Sequence, residues 1–217
     1  MRLPGLIPRS LAFRVIAFST IWAIAALVVI ATIISTLFRD ASERGFESLL
    51  SAHLFNLISS VGVDDAGNLT GAPNLGDRRF VEPGSGWYWS VIPVTKETHG
   101  ELSSISLNGE VAAPTVEEVP FGSDVQRRYF TTGPAGEELE VLESEFSLDS
   151  HDRAARFRMM GNRSEFERDI TAFDRKLYTY LALFGLGMIG INAVAIMLGL
   201  QPLNHVRQAL AAIRQGT

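Results

Sequence analysis

The chain has 217 residues, 47% of them hydrophobic, with 19 basic against 24 acidic side chains and no cysteine. A disulfide framework and a thiolate metal site are excluded by composition, and no basic patch of the kind nucleic acid requires is present. The positive mean hydropathy resides in two long uncharged runs, which set the organisation of the chain.

Residues 1–14 carry Arg2, Arg9 and Arg14 and no acid, the signature of a cytoplasmic flank. Val15 to Phe38 then gives 24 residues without a charge. At 1.5 Å per residue such a run crosses a hydrocarbon core of about 30 Å, so 15–38 is predicted as a transmembrane helix. A cleaved secretory signal has an apolar core of about 7–15 residues and a small-residue cleavage site; this run is longer and continues into FRDASERGFESLL, which predicts a retained anchor. The helical pattern does not stop there. Phe46, Leu49, Leu50, His53, Leu54, Leu57, Ile58 and Val61 recur at steps of three and four, one face of a helix that reaches about Val61. Gly45 within it costs only about 1 kcal/mol.

Residues 39–176 hold 14 basic and all 24 acidic side chains, a net charge of −10 over 138 residues, and are predicted to lie outside the cytoplasm. DDAGNLTGAP and EPGSG carry turn chemistry. Between such turns, five runs have strand composition: 87–94, 101–107, 127–132, 138–146 and 156–160. Gly133, Pro134 and Gly136 make the third and fourth a hairpin, and the set predicts one antiparallel sheet. Helix returns at a capping box in which the Ser164 hydroxyl accepts from the Glu167 amide. Phe166, Ile170, Phe173 and Leu177 then form an apolar face leading into a second uncharged run, predicted as a transmembrane helix over 177–200. Residues 201–217 carry Arg207 and Arg214 and no acid, again a cytoplasmic flank. The expected class is α+β, a sheet held between two helices continuous with the spans.

The second run contains FGLGMIGINA, with the Gly-x-Gly-x-x-Gly spacing of a nucleotide loop. That fingerprint needs a preceding strand and an acid about 20 residues later, and no acid follows here. Gly185, Met188, Asn192, Ala195 and Gly199 lie instead on a seam spaced 3, 4, 3 and 4, the small-residue and amide chemistry of helix pairs in lipid; a transmembrane dimer contact is predicted there. Beyond it Pro202 opens a coiled-coil seam of Leu203, Val206, Leu210 and Ile213.

Glu137, Glu138, Glu140, Glu143 and Glu145, with Glu117, Glu118, Asp149 and Asp152 nearby in sequence, form an acidic hairpin. Clustered carboxylates suit a hard divalent cation, with Glu138, Glu140, Glu143 and Glu145 as candidate ligands. The alternation of Glu138 and Glu140 with Leu139 and Val141 equally predicts a solvated strand face. None of His53, His99, His151 and His205 has metal-ligand spacing; His53 falls on the apolar helix face and is predicted to pack in the core. Trp87, Tyr88 and Trp89 put aromatics on both faces of one strand, for a core or a small-molecule pocket. Asn68-Leu69-Thr70 and Asn162-Arg163-Ser164 match a glycosylation pattern that a turn and a helix cap also explain. No catalytic residues and no cofactor are expected in this chain.

The last 17 positions, through Pro202, Leu203, Val206, Ala209, Leu210, Ile213 and Gly216, resemble the first helix of a HAMP linker. DRRFVEPGSGWYWSVI, through Phe80, Pro83, Ser85, Gly86, Tyr88 and Trp89, resembles a strand entry of proteobacterial two-component sensor histidine kinases of the PhoQ-related type. Relatives follow that strand with an Arg-Ser-Arg-Ser-Leu run where this chain has Leu102-Ser-Ser-Ile-Ser-Leu107, so ligand contacts by those arginines are missing. The resemblance implies a periplasmic PAS-like sensor in the inner membrane of a Gram-negative bacterium, homodimeric, signalling to a response regulator. It also implies a kinase core using ATP and Mg downstream of Thr217. Rival expectations are a chemoreceptor or cyclase input domain, a kinase-free membrane protein whose outer domain binds a protein, and, least, a periplasmic hydrolase.

Overall fold

In the computed structural model, the structure describes the backbone from Leu11 to Arg214 except His151, and side chains from Arg14 to Ala195 with the same exception. Two helices, α1 (Leu11–Ser60) and α2 (Arg163–Arg214), enclose in sequence a set of strands: β1 (Val61–Val63), β2 (Leu69–Gly71), β3 (Tyr88–Pro93), β4 (Leu102–Ser103), β5 (Gln126–Thr132), β6 (Glu138–Ser147) and β7 (Ala154–Asn162). The protein is α+β, with two long apolar helices flanking a sheet domain. Two compact units result: one comprises the described residues up to Arg39 and from Ala172 onward, the other Asp40–Thr171.

In the second unit β1 and β2 form a small hairpin, and the other strands make one sheet in the order β4-β3-β7-β6-β5. Every neighbouring pair is antiparallel, as the five predicted runs required. β7 lies in the centre because the chain, after the β5–β6 hairpin, returns between β6 and β3. Its register sets Phe157 opposite Val91 and Ser144, and Met159 opposite Trp89 and Leu142.

Alternation gives the sheet two faces. One packs on α1: Phe46, Leu50, Leu54 and Leu57 are buried with Trp89, Val91, Leu142, Phe157 and Met159. These four helix positions come from the stripe read in the sequence, and each aliphatic side chain contributes about 1.5–3 kcal/mol on burial. α1 lies tight against β7 because Gly161 has no side chain; a Cβ there would meet the Phe46 ring at 2.7 Å. The opposite face carries Tyr88, Tyr129, Val141 and Met160. It is covered by residues 104–125, a strap without helix or strand that contributes Leu107, Val111 and Val119.

The capping box is corrected. α2 starts at Arg163, and its cap is Asn162, whose Oδ1 accepts from the Glu165 amide at 2.9 Å. The Ser164 hydroxyl accepts instead from the Glu138 amide at 3.0 Å, and Glu167 pairs with Arg163 at 3.1 Å. With Asn162 as the cap, the orphan donor it serves is the Glu165 amide, while the Glu167 amide, two residues further on, lies past the end of the helix that needs a cap.

The other unit contains stretches of α1 and α2 long and apolar enough to cross a membrane, within Arg14–Ser60 and Arg163–Ala195. They pack on each other through small residues. Ala31 is buried on α1, a Cβ on Gly185 would stand 2.7 Å from Leu27 Cδ1, and Asn192 Nδ2 donates to Ser19 Oγ at 2.7 Å. Phe38 stacks on Phe173 with centroids 3.7 Å apart.

Candidate functional site

The stretch from Asp77 to Trp89 contributes Asp77, Arg79, Ser85, Gly86 and Trp87 to a junction at the entry of β3. Asp77 caps a 3-10 turn, Arg78–Phe80, by accepting from the Arg79 amide, and the Arg79 guanidinium lies 3.8 Å over the Trp87 ring. Ser85 Oγ donates to the Arg79 carbonyl at 2.6 Å and accepts from the Trp87 amide at 3.1 Å. Gly86 sits at φ 78°, and a Cβ there would fall 2.3 Å from Asn162 Nδ2. That same amide donates to the Ser85 carbonyl at 3.1 Å while its oxygen caps α2. Trp87 Nε1 donates to Glu165 in the first turn of α2, and the Tyr88 hydroxyl donates to Glu137 at 2.6 Å. Burial and the Glu137 carboxylate push Tyr88 up to about 12, so it remains a donor. Phe80 and Trp89 are buried in the core; Pro83 borders an open recess of about 230 Å³ beside Tyr88, smaller than the roughly 300–1,000 Å³ of small-molecule sites. The motif fastens the entry of β3 to the start of α2 and to the β5–β6 turn.

The acidic strand is not a solvated face. Strand parity separates the carboxylates: Glu138 and Glu140 share the helix-facing side, while Glu143 and Glu145 share the strap side. Glu140 is buried between Arg128 at 3.2 Å and Arg163 at 3.1 Å. Its pKa is raised because desolvation outweighs the two arginines. Arg128 also pairs with Glu47 of α1, and Arg163 with Glu43 at 3.4 Å. Among the described residues no group of three or more histidine, aspartate or glutamate side chains is disposed to hold a metal ion.

On the strap side three guanidiniums share one carboxylate. Arg127, Arg156 and Arg158 reach Glu143 at 2.9, 3.1 and 3.3 Å, with the Arg127 and Glu143 side chains 1% and 0% exposed. Glu145 takes part of Arg156 at 2.5 Å. Arg127 Nη1 donates to the Thr115 and Val119 carbonyls, both at 3.1 Å, tying the strap to the sheet; Arg127 Nη2 is buried without a hydrogen-bond partner. Phe121 stacks near Arg127 and Arg156 at 5.0 and 5.7 Å. Tyr129 lies below, its hydroxyl pushed up to about 12 by burial and by Glu143. The strap rejoins β5 through Val125 at φ 56°, a left-handed conformation that a β-branched residue adopts only under strain. Val125→Gly is expected to raise stability by about 1 kcal/mol in thermal unfolding; an unchanged or lower melting temperature would show that the strain is absent.

His53 packs in the core as expected, edge-on to Phe80 with centroids 5.2 Å apart, and neither ring nitrogen has a hydrogen-bond partner. Asp77 stands 3.9 Å away. Burial lowers the His53 pKa; Asp77 pulls it up and Arg79 pushes it down. Since the folded-state value is depressed, the contribution of His53 to stability is intact above its unfolded value of about 6.5 and declines as pH falls below it. A melting profile between pH 7 and pH 5 should therefore be steeper for the wild type than for His53→Phe.

Of the predicted transmembrane seam, Gly185 and Asn192 contact α1 of the same chain, whereas Met188 and Ala195 are exposed. No partner chain is needed to account for the first two. Gly199 and the linker-like seam Pro202, Leu203, Val206, Leu210 and Ile213 lie outside the residues whose side chains are described. In this cysteine-free chain, Ser19→Cys with Asn192→Cys should oxidise to an intrachain disulfide on non-reducing gels. A covalent dimer in its place would show that this face meets a second copy.

Comparison with protein-family models, with curated proteins and with solved structures finds no match to the chain.

Proposed function

We propose that the chain is the input module of a two-component sensor histidine kinase in the inner membrane of a Gram-negative bacterium. In this reading both termini are cytoplasmic, 39–176 is a periplasmic PAS-like sensor, and 201–217 begins a HAMP linker. The module is a homodimer, and the parent, with ATP and Mg at its kinase core, phosphorylates a response regulator. The supporting observation is that each long helix contains both a membrane-length apolar stretch and residues built into the sheet domain. On α1 these are Phe46, Leu50, Leu54 and Leu57; on α2 they are Phe166 and Ile170, one and two turns after the Asn162 cap. A stimulus that prefers one packing of sheet and helices shifts the population of helix arrangements.

The test is a chimera in which residues 1–217 precede the HAMP linker and kinase core of a sensor kinase, assayed for autophosphorylation in membranes. Asn162→Ala should change output at an unchanged membrane level. Output indifferent to Asn162→Ala and to Gly86→Ala would sink the reading. A second reading, a kinase-free protein binder, is favoured by the edge strand β5, where Phe130 is 65% exposed. Such a protein would retain a partner on purification and lose it with Phe130→Ser.

A further inference from the structure

Four observations meet under the strap. Among the described residues, Arg127, Arg156 and Arg158 form ion pairs with Glu143 and Glu145 alone, so the described cluster holds one positive charge in excess. Arg127 Nη2 is buried and has no partner. Arg158 is partly accessible and, among the described residues, donates through Nε alone, at 3.3 Å. The covering segment is irregular and rejoins the sheet at the strained Val125. Of the strap's acids, Glu118 accepts from the Thr115 amide and hydroxyl and Asp124 accepts from the Gln126 amide, so both are engaged locally.

A buried guanidinium left partly unpaired is costly, and guanidinium edges match the planar oxygens of carboxylate and phosphate. The geometry points to a small oxyanion, a carboxylate or phosphate compound of metabolite size, as the ligand that this face takes beneath the strap, held by Arg127 and Arg158. The acidic hairpin would then serve as the internal counterion of an anion site rather than as a cation site. Entry requires the strap to part from the sheet, exchanging the Thr115 and Val119 carbonyls on Arg127 for ligand oxygens. Tyr129, beside Glu143, supplies a neutral hydroxyl. The ligand's role as a stimulus rests on the sensor reading; its binding does not.

The full chain in phosphatidylcholine nanodiscs is unfolded thermally with citrate, succinate or inorganic phosphate at millimolar concentration, against sodium chloride of equal ionic strength. At least one oxyanion should raise the wild-type melting temperature saturably, by about 3 °C or more. The shift should vanish in Arg158→Gln, which leaves Arg127 and Arg156 on Glu143 and so retains the fold, and should shrink in Arg127→Lys. The carboxylate and phosphate arms separate the two ligand sources. Absence of any shift in the wild type, or an equal shift in both variants, overturns the inference. An arginine-dependent shift without change in the output of the kinase chimera supports the site and counts only against the sensor reading.

Discussion

Glu143→Ala is expected to destabilise the Asp40–Thr171 unit by about 3–5 kcal/mol, the largest effect of any single substitution in the sheet domain. The wild-type carboxylate is fully buried and is the shared acceptor of three arginines, of which Arg127 is itself buried. Removing it strands that guanidinium in a medium where an unpaired charge is poorly solvated, while Arg156 retains Glu145 and Arg158 can turn to solvent. Thermal unfolding of the full chain measures the loss. A decrease under about 1 kcal/mol would mean that water or strap carbonyls replace the carboxylate, and the buried-pair account would fail. Adding Arg127→Ala to Glu143→Ala should cost less than the two separate losses combined, because the second change removes the charge that the first leaves unpaired.

Gly86→Val is the second. Left-handed backbone costs a β-branched residue about 1–3 kcal/mol, and the new Cβ would occupy the position of the Asn162 side chain, with contacts of 2.3 to 2.8 Å along its length. Displacing Asn162 also removes the cap of α2, worth about 1 kcal/mol. The expected loss is about 2–4 kcal/mol by the sum of these terms. Asn162→Ala alone should give only the cap's share and its bond to the Ser85 carbonyl. If Gly86→Val and Asn162→Ala prove equally mild, the turn relaxes without strain and the junction is looser than its hydrogen bonds imply.

Much of this architecture was legible in the chain. The helical stripe from Phe46 to Ile58 identified the face of α1 that is buried, because a period near 3.6 and a continuous apolar face leave few alternatives; Val61, read as its last position, opens β1 instead. The strands of the main sheet and the β5–β6 hairpin followed from β-branched and aromatic runs bounded by glycine and proline, although the run 101–107 pairs only over Leu102–Ser103 and the short β1–β2 hairpin was not read. Of the residues quoted for the resemblance, Ser85 and Gly86 meet Asn162, whereas Phe80 and Trp89 pack in the core on the helix side and Tyr88 lies on the strap side. Asn162 itself drew notice only through a glycosylation pattern and as part of a helix cap. Its partner, the Ser85 carbonyl, lies 77 positions away, and no local pattern connects them.

The acidic strand shows the opposite case. Strand parity alone divides Glu138 and Glu140 from Glu143 and Glu145, yet whether each side faces water depends on what the chain brings over it. Arg128 and Arg163 approach Glu140 from a neighbouring strand and a helix, and Arg127, Arg156 and Arg158 approach Glu143 from β5 and β7. Likewise the small-residue seam of α2 was readable from its spacing, but not the helix it touches, since α1 offers its own small face through Ser19 and Ala31. Composition and periodicity determined the two long apolar helices, the sheet between them and the burial of the helix stripe, since these depend on residues close together in the chain. Tertiary structure alone decided which charges are buried, that Arg127 Nη2 is left without a hydrogen bond and which helix Gly185 and Asn192 meet, because each is a contact between segments far apart in sequence.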